Sequence, residues 1–477
     1  MNSEIINLVS ELFKEWSGEF PEIIKRLPET VSGRKYYRLQ AGKTSAIGVY
    51  NNNKRENDAF IYLSYHLKKH NVNVPDVYRV DNDKGVYLIQ DLGDISLYIY
   101  VEDIKGEENF NDFALKTYRK VIDVMPNIQI KASEDMDFSI CYPRAEFDYQ
   151  SIMWDLNYFK YYFLKLAGVK FDEQYLEDDF QVFAKYLLEA DCNYFLYRDF
   201  QSRNIMIKDD KLYFIDYQGG RRGALQYDLA SLLFEAKTQL PGELRQELLD
   251  YYIKINSKEK SFNSEEFIKF YPTYVLVRLL QAMGAYGYRG YYERKNFFLR
   301  SIPYAVRNIN WLLDNYKIGV KIPELLNCLK QIVNTEALSE YDIKQTEFTV
   351  SVNSFSYRSG IPQDNTGNGG GFVFDCRALP NPGRYPEFSQ FTGKDKPVID
   401  FLKKEEEVKK FIDNTYSIIE ASIKNYKERN FTDLMVNFGC TGGRHRSVYF
   451  AEQMARLIKR NFTIKIKLRH RELESND

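Results

Sequence analysis

Cysteine is scarce and scattered in this chain. The five cysteines among 477 residues, Cys141, Cys192, Cys328, Cys376 and Cys440, fall without metal-ligand spacing, and their odd number argues against a disulfide framework. That excludes the small disulfide-stapled folds and points to a reducing, cytoplasmic setting. A surplus of either charge is absent too. Sixty-six Lys and Arg stand against 67 Asp and Glu, a net charge of -1, so no global pull toward nucleic acid or a membrane surface is expected. No apolar run is long enough to span a bilayer. The opening stretch Met1–Trp16 carries Glu4 and Glu11 on an amphipathic helical pattern, which is not the layout of a signal peptide. The length is that of two or three domains with ample material for a core.

Against that background, one segment stands out. Residues Tyr197–Asn204 read YRDFQSRN and are followed by Ile215, Asp216 and Tyr217. An Arg-Asp pair, an Asn five residues after the Asp, and a second Asp on a later apolar run match the catalytic-loop pattern of kinases. One carboxylate must accept a substrate hydroxyl proton, while an amide oxygen and a second carboxylate hold the magnesium ions that bridge the nucleotide phosphates. This places Asp199 as the base, with Asn204 and Asp216 as metal ligands. Asn193–Leu196 and Leu212–Ile215 read as short strands with a turn at Asp209 and Asp210, a hairpin-like unit whose loop ends carry the two acids. Asp228, which opens a helix, reads as a brace for the loop. The bland alternative is a chance Asp-Asn spacing in an ordinary loop.

The chain before this point follows a kinase order. Val31–Leu39 contains a turn at Gly33 between strands, where backbone N–H groups and Arg34 would meet nucleotide phosphates; an ordinary hairpin with surface arginines is the other reading. Ser45–Tyr50 is a strand, Lys54–Lys69 is helical by periodicity, and His66 and His70 read as solvated. Val86–Gln90 is a strand running into a linker, where Gln90 would lie near the base of the nucleotide. The strand Ser45–Tyr50 has no lysine where kinases place the one that pairs with the phosphates, and Glu56 is the candidate for the helix glutamate that normally partners it. Two readings therefore stay open, an active phosphotransferase and a pseudokinase scaffold.

A different pattern begins past the polar stretch Asn334–Ile343. Phe348–Val352 alternates, Asn365–Gly371 is Gly-rich, Phe372–Cys376 is strand-like and Lys396–Lys427 has helical spacing. Leu434–Phe438 leads into GCTGGRHRS at Gly439–Ser447 and then an amphipathic helix. A strand, a glycine loop and a helix N-terminus make an anion site, to which Arg444, His445 and Arg446 would add donors. Cys440 and Arg446 also have the spacing of phosphatases that attack phosphate with a thiolate. Gly439 stands where such enzymes usually carry His, and no nearby general acid is evident.

The segments VSGRKYYRL, VYLIQDLGD, YRDFQSRN, FIDYQGG and YDLASLL resemble the aminoglycoside-phosphotransferase-like kinases, across roughly residues 1–335. Phe147–Phe159 and Arg278–Tyr286 are similar to segments of the anomeric N-acetylmuramate/N-acetylglucosamine kinases of cell-wall sugar recycling. That resemblance implies ATP as donor, Mg2+, and an amino sugar phosphorylated at its C1 hydroxyl; an antibiotic-modifying kinase is the rival substrate reading. Residues 347–473, with NSFSYRSGIP, FVFDCRALPNPGRYPEFSQFTGKDKPV, FGCTGGRHRSVYFAEQMA and LRHREL, resemble the C-terminal domain of the RNase adapter RapZ. This implies a phosphosugar effector held by Cys440, Thr441, Gly442, Gly443, His445 and Arg446, with Asp375, Arg377 and Asn381 as further candidates. It also raises RNA as a partner through the basic strand Lys465–Arg471. The acidic ending Glu472, Glu474 and Asp477 weighs against RNA. The expected fold is an α+β bilobal protein-kinase-like domain at 1–335, a linker at 336–346, and an α/β RapZ C-terminal-like domain at 347–477. Its function is expected to be either a sugar kinase with a sensing domain or a non-catalytic sensor-adapter.

Overall fold

Alternating apolar residues in the first part of the chain build an antiparallel sheet. Its strands are Ile23–Arg26 (β1), Lys35–Ala41 (β2), Thr44–Tyr50 (β3), Val77–Asp81 (β4) and Val86–Gln90 (β5), in the order β1-β2-β3-β5-β4. The computed structural model describes residues 2–27, 33–105, 110–335, 338, 348–364, 371–428, 431–462 and 464–474. Val31 and Ser32 of the expected turn, the expected linker apart from Leu338, and most of the Gly-rich stretch lie outside the described residues. Two compact units result, Met1–Tyr288 with Ser301–Ser339, and Arg289–Arg300 with Glu340–Asp477.

The amphipathic opening is a helix, α1 (Asn2–Ser17), whose Ile5, Val9, Leu12 and Phe13 pack on Tyr37, Leu39, Ala46 and Leu88 of the sheet. Gly48 allows that approach, since a Cβ built there would lie 2.9 Å from Val9 Cβ. A second helix, α2 (Lys54–Lys69), starts where Asn53 Oδ1 accepts the Glu56 N–H at 3.2 Å. The rest of this unit is largely helical. The apolar helix Ser264–Gly287 packs against Tyr149–Phe159 and Gln226–Leu233, and buries Phe270, Tyr274, Leu276 and Leu280.

Two short ribbons carry the segment singled out in sequence. Tyr194–Leu196 (β6) pairs with Arg221–Gly223 (β9), and Ile205–Lys208 (β7) pairs with Lys211–Phe214 (β8). The hairpin expected from the first and last apolar runs is therefore two ribbons. The two-residue turn at Asp209 and Asp210, with φ of +49° and +58°, closes β7 onto β8.

The second unit holds a parallel sheet in the order β11-β12-β10-β13, from Thr349–Ser356 (β10), Phe372–Asp375 (β11), Asp433–Cys440 (β12) and Lys465–His470 (β13). Its core gathers Val350, Val352, Val436, Phe438, Phe450 and Ile458. The helical stretch expected over Lys396–Lys427 is two helices, Lys396–Lys403 and Glu406–Glu428. Among the described residues, no helix of the chain is long and apolar enough to cross a membrane.

Candidate functional site

Past β6 the backbone turns at Arg198, whose φ is +82°. Three anchors fix this turn. Asp228, fully buried on Gln226–Leu233, accepts the N–H groups of Tyr197 at 2.8 Å and Arg198 at 3.0 Å and the amide of Gln129 at 3.1 Å. Asp228 thus braces the loop, and burial pushes its carboxyl up to about 7. Arg198 holds both oxygens of Asp155 at 2.7 and 2.8 Å and donates to Tyr227 Oη at 2.8 Å. Tyr197 donates its hydroxyl to Ile215 O at 2.6 Å, which ties the loop to the strand end that delivers Asp216. Sequence reasoning gave no role to Asp155 or to the Ile215 carbonyl, because both partners lie far along the chain. A fourth contact runs from Ser202 N and Oγ to Glu235 Oε2, at 2.9 and 2.6 Å.

Asp199, Asn204 and Asp216 come together on this frame. Asn204 Nδ2 donates to Asp199 O at 2.8 Å and lies 3.4 Å from Asp216 Oδ2, so the amide oxygen is the atom left to ligate. Gln218 Nε2 donates to Asp216 Oδ1 at 2.6 Å. Asp216, at φ +70°, is pushed above the usual carboxylate range first by burial and then by the charge of Asp199, against the Gln218 hydrogen bond and the cations Arg34 and Arg203. The Asp216 carboxylate and the Asn204 amide oxygen, beside the like charge of Asp199, form a donor set that fits a hard divalent cation such as Mg2+.

The expected nucleotide residues are divided. Gly33 is exposed at φ +74°, at the start of the described segment. Arg34 is buried and its Nη2 meets Glu56 Oε1; its Nη1 lies 3.3 Å from Tyr36 Oη. Glu56 thus has an arginine from beside β2 as its partner, where the kinase pattern has a lysine on β3. Gln90 is engaged elsewhere: its Oε1 accepts Asp76 N at 3.3 Å and its N–H donates to Asp76 O at 2.8 Å. Arg38 meets Asp91 at 2.9 Å and Asp94 at 2.9 Å. His66, expected in solvent, is buried with Nε2 2.7 Å from Ala132 O; His70 Nε2 lies 2.7 Å from Asp135 Oδ1. Helical periodicity shows the face of α2 but not the carbonyl that covers it.

In the second unit, β12 ends at Cys440 and the helix Arg446–Asn461 begins after the glycine loop. Thr441, Gly442 and Arg444 are exposed. Arg446 points inward, and its Nη1 donates to Arg377 O at 2.7 Å and Leu379 O at 2.9 Å. His445 Nε2 lies 3.2 Å from Phe388 O. Cys440 is buried, 3.1 Å from Ser447 Oγ. Gly443, at φ +67°, lies against Glu472, whose Cγ is 2.3 Å from where a Cβ would stand. Asp375 binds Arg377 through both oxygens, and that hydrogen bond holds it below the usual carboxylate range. Asn381 accepts Gly383 N at 3.2 Å. On the expected basic strand, Arg469 pairs with Glu474, and Arg471 donates to Gly360 O at 2.7 Å.

Comparison with known proteins covers both regions of the chain. The phosphotransferase enzyme family matches residues 23–262, half of the chain, and the RapZ C-terminal domain matches residues 348–474. The chain belongs to the phosphotransferase enzyme family and carries a RapZ C-terminal domain behind that region. A nucleotide-binding protein of Mannheimia succiniciproducens is 35% identical over 163 residues, covering 32% of this chain and 54% of that protein. Another, of Glaesserella parasuis, is 37% identical over 153 residues, 32% and 49%. The chain spans about half the length of these curated relatives. A choline kinase of Cryptosporidium parvum Iowa II matches 69% of this chain and 100% of its own at a TM-score of 0.48 and 13% identity.

Proposed function

We propose that this protein is an ATP-dependent kinase of an amino sugar, with a second domain that senses a phosphosugar. The observation that carries the kinase reading is the convergence of Asp199, Asn204 and Asp216 on a loop braced by Asp228, Arg198 and Tyr197. Asp199 orients the acceptor hydroxyl and takes its proton. Asn204 and Asp216 would hold Mg2+, which when bound neutralises charge on the β- and γ-phosphate oxygens. Gly33 and the face of β2 offer the nucleotide its phosphate end, and the linker that follows Gln90, whose own N–H is taken by Asp76 O, offers backbone groups to the base. The N-acetylmuramate or N-acetylglucosamine acceptor and its C1 hydroxyl rest on the resemblance of Phe147–Phe159 and Arg278–Tyr286. Arg278 is engaged with Ser231 and Gln281, at 2.9 and 2.7 Å. The domains run 1–335 and 347–477, and the setting is cytoplasmic.

The sensor reading of the second domain is supported by the exposed loop Thr441, Gly442 and Arg444 at a helix start. The competing account, a sensor-adapter built on a pseudokinase, draws on one observation, the absence of a lysine from β3. ADP release, followed across a panel of amino sugars with product position read by phosphorus NMR, tests the kinase reading. A C1 phosphate formed by the wild type and lost in Asp199→Asn is expected. ATP binding without any acceptor-dependent ADP release would favour the adapter.

A further inference from the structure

The strand that carries the phosphate-pairing lysine in kinases has no cation on the face turned away from α1 here. Ala46 and Gly48 face α1, so Ser45, Ile47 and Val49 face the other way. Val49 is fully buried, and sits opposite Tyr36 on β2 and Tyr87 on β5. Two residues before Tyr36, and therefore at the same phase of the strand alternation, is Arg34. Its side chain is 3% exposed, with one terminal nitrogen on Glu56 and the other near Tyr36 Oη. Its Nε is buried and meets no hydrogen-bond partner among the described residues. Glu56 is fixed in turn, for its second oxygen accepts Asn51 Nδ2 at 2.9 Å and its N–H is capped by Asn53. The Arg34 charge also reaches Asp216, the metal-site carboxylate.

We infer that Arg34 takes the place of the missing lysine: a guanidinium from beside β2, held by the α2 glutamate, is the cation that meets the α- and β-phosphates of the nucleotide. The inference rests on the kinase reading and deepens it. A guanidinium suits the task from this position. It stays charged, and its five N–H donors allow it to keep Glu56 while presenting others to phosphate oxygen, where an ammonium would have to share three. A buried donor without a protein partner is costly unless a ligand meets it. Arg34 follows Gly33 directly, so Gly33, the phosphates and α2 become one connected unit when nucleotide binds.

Calorimetric titration of the full chain with MgATP, MgADP and adenosine tests this, using the wild type, Arg34→Met, Arg34→Lys and Glu56→Gln. Arg34→Met should weaken MgATP and MgADP by about ten- to a hundredfold, the worth of one charge-assisted bond, and leave adenosine within about twofold. Arg34→Lys should recover part of that loss, and Glu56→Gln should fall between. Unchanged MgADP affinity in Arg34→Met would overturn the assignment, as would an equal loss of adenosine and MgADP. If Arg34→Met does not fold, Arg34→Lys and Glu56→Gln carry the same comparison. Wild-type protein that binds none of the three would remove the kinase reading itself. Wild-type binding with an indifferent Arg34→Met would remove only the role of Arg34.

Discussion

The loop from Tyr197 to Asn204 and the loop from Gly439 to Arg446 look alike in sequence, each a strand end followed by charged residues and a turn. Their charges are treated in opposite ways. In the first, the cation Arg198 is turned away onto Asp155, and the acids Asp199 and Asp216 lie near each other, with Asp216 meeting the amides of Asn204 and Gln218 and the charges of Arg34 and Arg203. In the second, Arg446 is folded inward onto two backbone carbonyls, and a carboxylate, Glu472, lies against Gly443. Like charges held close together cost free energy that a bound cation offsets, and such pairs cluster at functional sites. Arg446 is a buried cation with one terminal nitrogen anchored on two carbonyls, while its Nε has no hydrogen-bond partner among the described residues. The same motif grammar thus sets two acids close together in one region and, in the other, anchors an arginine on backbone carbonyls.

The largest effect expected from this contrast is at Asp199. Asp199→Asn should lower turnover by about two to four orders of magnitude, the usual worth of a general base, while MgATP affinity holds. A steady-state assay on the true acceptor checks it, and near-wild-type turnover would end the assignment. Next comes the brace. Asp228→Ala strips the acceptor from two backbone N–H groups and the Gln129 amide, and should cost about 3 kcal/mol or more in urea unfolding. Loss of stability below about 1 kcal/mol would mean that the loop holds its turn without Asp228. In the other region, Arg446→Met should cost about 1.5 to 3 kcal/mol of stability, because the carbonyls of Arg377 and Leu379 lose a charged donor. Arg444→Ala should leave stability unchanged and weaken phosphosugar binding. If instead Arg446→Met weakened binding with no loss of stability, Arg446 would be a ligand contact after all.

The parts of the molecule that were readable in sequence are those whose cause is local. Asp199, Asn204 and Asp216 follow from spacing within one loop and the strand after it. The Asp209-Asp210 turn and the strand before the glycine loop follow from alternation and turn chemistry. What escaped depends on partners distant along the chain. Glu56 is matched by Arg34, which is 22 positions away and not on β3. His66 lies under Ala132, 66 positions on, so its burial could not be read from the phase of α2. The carbonyls of Arg377 and Leu379 that meet Arg446 are likewise distant along the chain, and nothing within its own loop announces them. The fold classes were visible for the same reason the helix faces were, since period and order along the chain carry them.

The smallest expected effect separates the two units by pH. Burial raises the Asp228 carboxyl to about 7, so between about pH 4 and 7 the folded first unit binds more protons than the unfolded chain, and its stability falls as pH rises. His470 in the second unit is lowered by burial, against the pull of Glu452 at 3.2 Å. There the unfolded chain binds more protons, so stability is lost as pH falls through the usual imidazole range near 6.5. The two units should therefore tilt in opposite directions between pH 5 and 7. All three tryptophans, Trp16, Trp154 and Trp311, belong to the first unit, so tryptophan fluorescence in urea reports it alone. Hydrogen exchange along β12 reports the second. The fluorescence midpoint should fall across that interval and flatten in Asp228→Asn, while protection along β12 should rise and flatten in His470→Gln. Slopes of the same sign in both probes would show that these two groups do not set the pH response of their units.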